Sequence, residues 1–202
     1  MAVTTNSGVP VDGSSGSTLM PKLQYRFRVT FTNLGDGIGN HHVSRNVISV
    51  TRPALDHEDV TVDVYNSKIR LAGKHTWQDV TLVMRDDVNS QVIKELGHQM
   101  SRQVNHAQQG SAKAGLDYKF GMKIETLDGG NDGNEVVIDT WTLAGCFIPS
   151  IQYGDLNYAT SDVVQVTATI RYDNASNTTG TGTDHLSYGS LGKGTSAAGA
   201  NN

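Results

Sequence analysis

The stretch that decides the fold is Val164-Gln-Val-Thr-Ala-Thr-Ile-Arg-Tyr172, in which apolar residues occupy every second position. Successive side chains of a β-strand point to opposite faces, so this run predicts a strand with one buried and one solvated face. Seven other stretches carry strand-like apolar patterns: 23–32, 47–50, 60–65, 68–71, 79–85, 118–124 and 137–143. We therefore predict a mainly β protein, an antiparallel sandwich or barrel of about eight strands.

One stretch of the chain has a helical period instead. Apolar residues recur there at every fourth position, at Val92, Leu96, Met100 and Val104. This spacing places them on one face of an amphipathic helix. Asp86 and Asp87 precede the stripe, where negative charge favours a helix N-terminus. The pattern predicts a single α-helix of about four turns that flanks the sheet.

Composition divides the 202 residues into a body and two arms. Eleven of residues 1–20 and nineteen of residues 174–202 are Gly, Ser, Thr or Asn. Such segments bury too little apolar area to fold by themselves. We therefore expect an N-terminal arm over 1–20, a β domain over 21–173 and a low-complexity C-terminal arm over 174–202.

Charge and cysteine content exclude several classes of protein. Sixteen Lys and Arg against 20 Asp and Glu give a net charge of −4, which argues against a dedicated nucleic-acid binder. No apolar run approaches the roughly 20 residues of a membrane span, and no signal peptide is evident, so we expect no membrane anchor. The single cysteine, Cys146, has apolar neighbours and is expected to be an inert, packed thiol.

Two glycine-rich segments have functional alternatives. Gly35-Asp-Gly-Ile-Gly39 follows a strand, but a dinucleotide fingerprint also needs a helix that begins at its last glycine. We expect a plain loop that leads through His41 and His42 into another strand. The oxygen-rich segment Asp128–Glu135 favours a hairpin turn, with a calcium loop as the alternative. No Ser-His-Asp, metal-ligand or nucleophile motif stands out, so we expect neither an enzyme nor a cofactor.

Two groups of short motifs recur in a specific order along the body. The first group is Pro53-Ala54, Lys68-Ile69, Ala72-Gly73, Thr76-Trp77, Asp79 and Asp86-Asp87. The second group is Trp141-Thr-Leu-Ala-Gly145, Phe147-Ile-Pro149, Gly154-Asp-Leu156 and the strand 164–172. In this order the motifs resemble the tail tube proteins of contractile-tailed bacteriophages, which are related to the tube proteins of type VI secretion. The resemblance covers residues 21–173.

The resemblance implies a structural subunit that forms hexameric rings, stacked into a tube whose lumen conducts DNA during ejection. It implies as partners further copies of the chain, the tail sheath protein, and tape-measure, baseplate and tail-terminator proteins, with only transient, non-specific passage of DNA. The implied location is the virion tail, assembled in the cytoplasm of the bacterial host. The family motif also implies a set of packing residues: Pro53, Ala72, Gly73, Trp77 and Trp141.

The excursion over 53–74 is the predicted contact between stacked rings. It is too long for a tight hairpin, and its stripe of valines needs a partner, although Asn66-Ser67 provides a turn. The predicted ring-stacking residues are Glu58, Asp59, Val60, Val62, Val64, Tyr65, Lys68 and Lys74.

Two alternatives to a phage tube remain open. One is the tube protein of a type VI secretion or other contractile injection system, which shares the fold. The other is a monomeric β-sandwich binding module.

Overall fold

The computed structural model describes residues 22–35, 40–111, 118–128 and 136–179. These residues form eleven strands and two helices: β1 (Phe27–Thr32), α1 (Asn40–Arg45), β2 (Val47–Val50), β3 (Leu55–Val64), β4 (Ser67–Trp77), β5 (Val80–Arg85), α2 (Gln91–Gln103), β6 (Val104–Asn105), β7 (Gly110–Ser111), β8 (Phe120–Leu127), β9 (Val137–Gln152), β10 (Gln165–Arg171) and β11 (Asn174–Thr179).

Seven strands form the main sheet, in the order β1-β8-β9-β10-β5-β2, with β11 also paired to β9. All of these pairs are antiparallel. The predicted mainly antiparallel β architecture is therefore confirmed, although the described strands form an open sheet and not a closed barrel.

The long strand β9 connects two parts of this sheet. Its first part pairs with β8 and β11, and its second part, from Phe147 onward, pairs with β10. The change occurs next to Gly145, whose φ of 69° lies in the left-handed region that favours glycine. A Cβ at this position would lie 2.2 Å from Oδ2 of Asp173. Glycine is therefore required where the strand passes from one part of the sheet to the other.

Alternating side chains of both parts meet in one hydrophobic core. Along β5, β8 and β10, every second residue is buried, as the sequence pattern predicts. The larger fully buried side chains are Leu34, Leu82, Met84, Leu96, Met122, Leu143, Ile148 and Ile170. Burial of one such side chain contributes about 1.5–3 kcal/mol, so this core holds the body together.

Helix α2 confirms the predicted helical stripe as far as Met100 and packs Val92 and Leu96 into the core. Val104, the last predicted member of the stripe, lies beyond the helix in β6 and is exposed. The carboxylate of Asp87 accepts a hydrogen bond from the first turn of this helix: the Gln91 N–H donates to Oδ1 of Asp87 at 2.8 Å. Near its other end, the side-chain amide of Gln103 donates to the Ile148 carbonyl at 2.8 Å and accepts from the Ile148 N–H at 2.9 Å. The helix thus satisfies backbone groups of β9 that would otherwise lie at a sheet edge.

The segment after the glycine-rich loop differs from the prediction. A six-residue helix, α1, begins at Asn40, where a strand was expected, so α2 is not the single helix. Val43 is fully buried and anchors this helix to the core, a contact that the short local sequence does not reveal. His41 and His42 therefore lie in this helix and not on the way into a strand, and their rings are 4.0 Å apart between centroids.

Strands β3 and β4 form a long two-stranded ribbon, here called the hairpin. Its strands pair from Leu55 opposite Trp77 to Val64 opposite Ser67. The expectation that this excursion is too long for a tight hairpin is wrong, because Tyr65, with a φ of 46°, allows a two-residue turn at the tip. The hairpin prolongs the β2–β5 pair, since the Gln78 N–H donates to the Ala54 carbonyl at the junction.

The sheet also includes the start of the segment assigned to the C-terminal arm. Strand β11 pairs with β9 and buries Ala175 and Asn177. The Asn177 side-chain amide donates to Oδ1 of Asp139 at 2.6 Å, and Lys22 reaches Oδ2 of the same carboxylate at 3.3 Å. The ordered body thus extends to at least Thr179, and the remainder of both predicted arms lies outside the described residues.

Candidate assembly surface

The hairpin has two chemically different faces. On one face, Val60 lies opposite Leu71 and Val62 lies opposite Ile69, with Val64 nearest the tip. Each of these five side chains is between 43% and 53% exposed. Monomeric proteins rarely expose a contiguous apolar stripe of this kind, so the face is a candidate contact surface.

The opposite face of the hairpin is charged. Arg70 contacts Asp59 at 3.1 Å and Lys68 contacts Asp63 at 3.4 Å, both across the two strands. Such exposed ion pairs contribute at most about 1 kcal/mol each, but opposite charges in register favour one pairing of the strands. The charged face is therefore compatible with exposure to solvent. The apolar face is the one that would gain from contact with another surface.

A bulge near the base of the hairpin changes which side chains share a face. The register shifts between His57 and Asp59, where Gly73 and Lys74 together lie opposite Glu58. A Cβ on Gly73 would lie 3.0–3.1 Å from Val60 and Glu58 atoms, so glycine permits this close approach. Beyond the bulge, the alternation of β4 is shifted by one residue. The bulge therefore separates the apolar face from the aromatic side chains at the base.

An aromatic cluster fixes the base of the hairpin to the body. The Trp77 ring is partly buried against the core and lies 5.6 Å from the Tyr172 ring. His75 lies 6.3 Å from Trp77, and His57 lies 6.3 Å from His75 across the strands, a pair that spacing in the sequence did not suggest. Burial, with smaller effects of Cys146 and Asp79, raises the pKa of the Tyr172 hydroxyl to about 12.

The structure brings the predicted ring-stacking residues together on the hairpin, but on different faces. Val60, Val62 and Val64 share the apolar face, whereas Asp59 and Lys68 belong to the charged face. Tyr65 is fully exposed at the tip. Glu58 and Lys74 lie at the bulge.

Sequence reasoning missed Ile69 and Leu71, which complete the apolar face. Counting outward from the predicted turn would have placed both opposite the valines.

The predicted packing residues also fall into two groups. Pro53 is buried, while Trp77 and Trp141 are partly buried and pack against the core. Gly73 occupies the bulge, where the lack of a side chain permits its close approach to Val60 and Glu58. Ala72, by contrast, is exposed opposite Asp59 in the hairpin, so it does not pack in the body as the motif implied.

A second exposed surface, of mixed polar and apolar character, lies at the other end of the sheet and was not predicted. A groove of about 910 Å³ is lined by Ile48 of β2, Arg85 of β5 and the connection between β9 and β10. We call this connection, residues 153–164, the β9–β10 loop. Leu156 and Val163 are 84% and 60% exposed, and Tyr158 is fully exposed.

The other candidate sites of the sequence lie only partly within the described residues. Cys146 is buried, as predicted, and burial raises the pKa of its thiol to about 12. Over the described ranges, His, Cys, Asp and Glu side chains do not group in threes as metal ligands would. Of the calcium alternative, Asp128–Glu135, residues 129–135 lie outside the description, as do residues 36–39 of the other glycine-rich segment. No helix in the described portion of the chain has the length and apolarity to cross a membrane.

Comparison with known proteins supports the mainly antiparallel β fold described above. No protein-family model and no curated protein matches the sequence. Among solved structures, the tube-terminating cap of the anti-feeding prophage has a TM-score of 0.59 at 17% identity and covers 89% of this chain and 99% of that chain.

Two structures of an extracellular contractile injection system are equally similar. A chain of its sheath–tube complex has a TM-score of 0.60 at 17% identity and covers 80% of this chain and 93% of that chain. A chain of its sheath/tube terminator has a TM-score of 0.58 at 18% identity and covers 78% and 96%. The chain therefore has the fold found in the tube assemblies of contractile injection systems, as the resemblance implied.

Proposed function

We propose that this chain is the tail tube subunit of a contractile-tailed phage, which forms hexameric rings that stack into a DNA-conducting tube. Two observations support the proposal: the fold that the chain shares with tube assemblies, and the order of the family motifs along residues 21–173. The role is structural and requires neither a catalytic group nor a cofactor. Sheath, tape-measure, baseplate and terminator proteins are the partners that such a tube would contact.

The hairpin is the observation that carries the proposal. It extends the β2–β5 pair away from the body, and all ten residues of β3 are exposed. An apolar face on such a ribbon gains stability only when another surface covers it. A stacked assembly supplies that cover in every copy, whereas a monomeric binding module would leave the face in water.

The open sheet supports closure of subunits into a ring. Strands β1 and β2 are the outer members of the described sheet, and each presents one edge with no strand partner in that part of the chain. Unpaired edges template association, and joining them between copies of one subunit removes them. The net charge of −4 per chain is consistent with a lumen that lets DNA slide.

The triple substitution Val60→Thr, Val62→Thr and Val64→Thr tests the proposal. Threonine retains the β-branched shape of valine and its preference for strands but removes the apolar surface. We expect negative-stain electron microscopy to show stacked tubes for the unchanged chain, and only rings or monomers for the variant. Asp63→Asn, on the charged face, is the matched control and should still form tubes. An unchanged chain that stays monomeric at every salt concentration would contradict the proposal.

A second candidate is a tube or terminator subunit of an extracellular injection system. The likeness to the tube-terminating cap favours it, because that chain is covered almost entirely. A subunit that ends a tube should give single rings, whereas a tube subunit should give long polymers. Polymer length in micrographs, together with the presence or absence of DNA in purified particles, separates the two candidates.

A further inference from the structure

We propose that the groove beside the β9–β10 loop receives the apolar face of the hairpin from a second copy of the chain in the adjacent ring. This inference rests on the proposed function, since it requires stacked rings. It assigns the receiving surface, whereas the motifs concern only the hairpin.

The two surfaces lie at opposite ends of the same strands. The hairpin joins the sheet where β5 begins, at Val80, and Val80 pairs with Ile170 near the end of β10. The groove lies where β5 ends, at Arg85, which pairs with Gln165 at the start of β10. Head-to-tail contacts between identical subunits need complementary surfaces at opposite ends of the molecule. A shift of one copy along the strand direction therefore brings hairpin and groove together.

The chemistry of the two surfaces is also compatible. The lining of the groove is mixed and includes Asp155 and Asp162. Within it, exposed Leu156 and Val163 are available to the aliphatic side chains of the hairpin. In this orientation the tip of the hairpin points toward the end of β5 in the next copy. Tyr65, fully exposed at the tip, can then stack on the guanidinium of Arg85, which lines the groove.

The size of the hairpin explains why this contact needs a ring. The part of the hairpin that carries the apolar face has five residues in each strand and measures about 17 Å by 10 Å, so this face covers roughly 170 Å². A stable pairwise interface needs about 800 Å² from each partner. One hairpin in one groove is therefore too weak to hold two subunits, whereas several such contacts between complete rings act together.

Cross-linking tests the assignment directly. Val62→Cys on the apolar face is combined with Leu156→Cys in the loop, and tubes are treated with a short bismaleimide. Cys146 stays silent, because it is buried and its thiol pKa is about 12. We expect covalent chains longer than six subunits on denaturing gels, since each link joins one ring to the next. Thr61→Cys with Leu156→Cys is the matched control on the other face, and it should give no ladder.

The outcomes distinguish this inference from the proposed function. Tubes without cross-links, or a ladder that stops at six subunits, would overturn the groove assignment while the tube proposal stands. An unchanged chain that forms no tubes would overturn both. Leu156→Asp provides a second measurement: it should leave the melting temperature of the monomer unchanged and raise the concentration needed for tubes at least about tenfold, a loss of about 1.4 kcal/mol. Unaltered assembly of that variant would also contradict the assignment.

Discussion

Strands β5 and β3 have the same sequence pattern and opposite environments. In β5, Val80, Leu82 and Met84 alternate with other residues and are at most 1% exposed. In β3, Val60 and Val62 alternate in the same way and are 45% and 43% exposed. Strand β5 lies between β10 and β2 above the core, whereas β3 has β4 as its only neighbour among the described strands. Alternation thus determines which side chains share a face, but the rest of the fold determines whether that face is covered.

The largest expected difference between the two regions is the cost of shortening a buried leucine. Leu82→Ala in β5 should lower the free energy of unfolding by about 2–5 kcal/mol, through lost burial and the cavity left behind. Leu71→Ala in β4 should change it by no more than about 0.5 kcal/mol, because Leu71 is already in contact with water. Urea denaturation of the monomer measures both values. A similar loss for the two variants would show that the hairpin is covered within a single chain.

Glycine substitutions should give a smaller difference. Gly145→Ala forces a left-handed conformation on alanine and places its Cβ against Asp173, so we expect a loss of about 2 kcal/mol. Gly97→Ala, inside α2 with open space around the new methyl group, should instead stabilise the chain by about 0.5–1 kcal/mol. Thermal unfolding followed by circular dichroism decides between these signs. Equal stability of Gly145→Ala and the unchanged chain would mean that β9 can pass between the two parts without this turn.

The smallest effect concerns the hydroxyl at the base of the hairpin. The Tyr172 pKa is raised from 10.0 to about 12, so folding favours the protonated form. Its stabilising contribution is complete below pH 10 and is lost as the pH rises towards 12. Tyr172→Phe keeps the ring beside Trp77 and should flatten this alkaline loss with little change at neutral pH. Urea midpoints at neutral and alkaline pH test this, and identical pH profiles would assign the loss to other groups, such as Cys146.

The sequence predicted those elements whose pattern is local. The strand predicted over 164–172 was placed within one residue at each end, and three of the four predicted stripe residues lie in the helix Gln91–Gln103, because the periodicity of a long segment is visible without the fold. The valine stripe of the hairpin was also recognised as a surface that needs a partner. Its closing turn was predicted at Asn66-Ser67, whereas Ser67 pairs with Val64 and the two turn residues are Tyr65 and Asn66. The sequence offered no glycine there to mark the residue with positive φ.

The elements that were missed depend on distant residues. Strand β11 is Asn-Ala-Ser-Asn-Thr-Thr, with alanine as its only apolar residue. It is a strand because β9 offers a free edge and Asp139 accepts a hydrogen bond from Asn177. The groove beside the β9–β10 loop has no motif of its own. It exists because β5 ends where β2 and β10 begin, which only the strand order reveals.

The continuity of the hairpin with β2 and β5 has a mechanical consequence. A force that pulls on the hairpin along its length is transmitted to the body through β5. This strand is hydrogen-bonded to β10 on one side and to β2 on the other. Antiparallel hydrogen bonds run perpendicular to the strands, so this force shears all of them together and does not open them one at a time. The projecting hairpin is therefore firmly anchored in the sheet. It can transmit tension between neighbouring subunits while the core around its base stays intact.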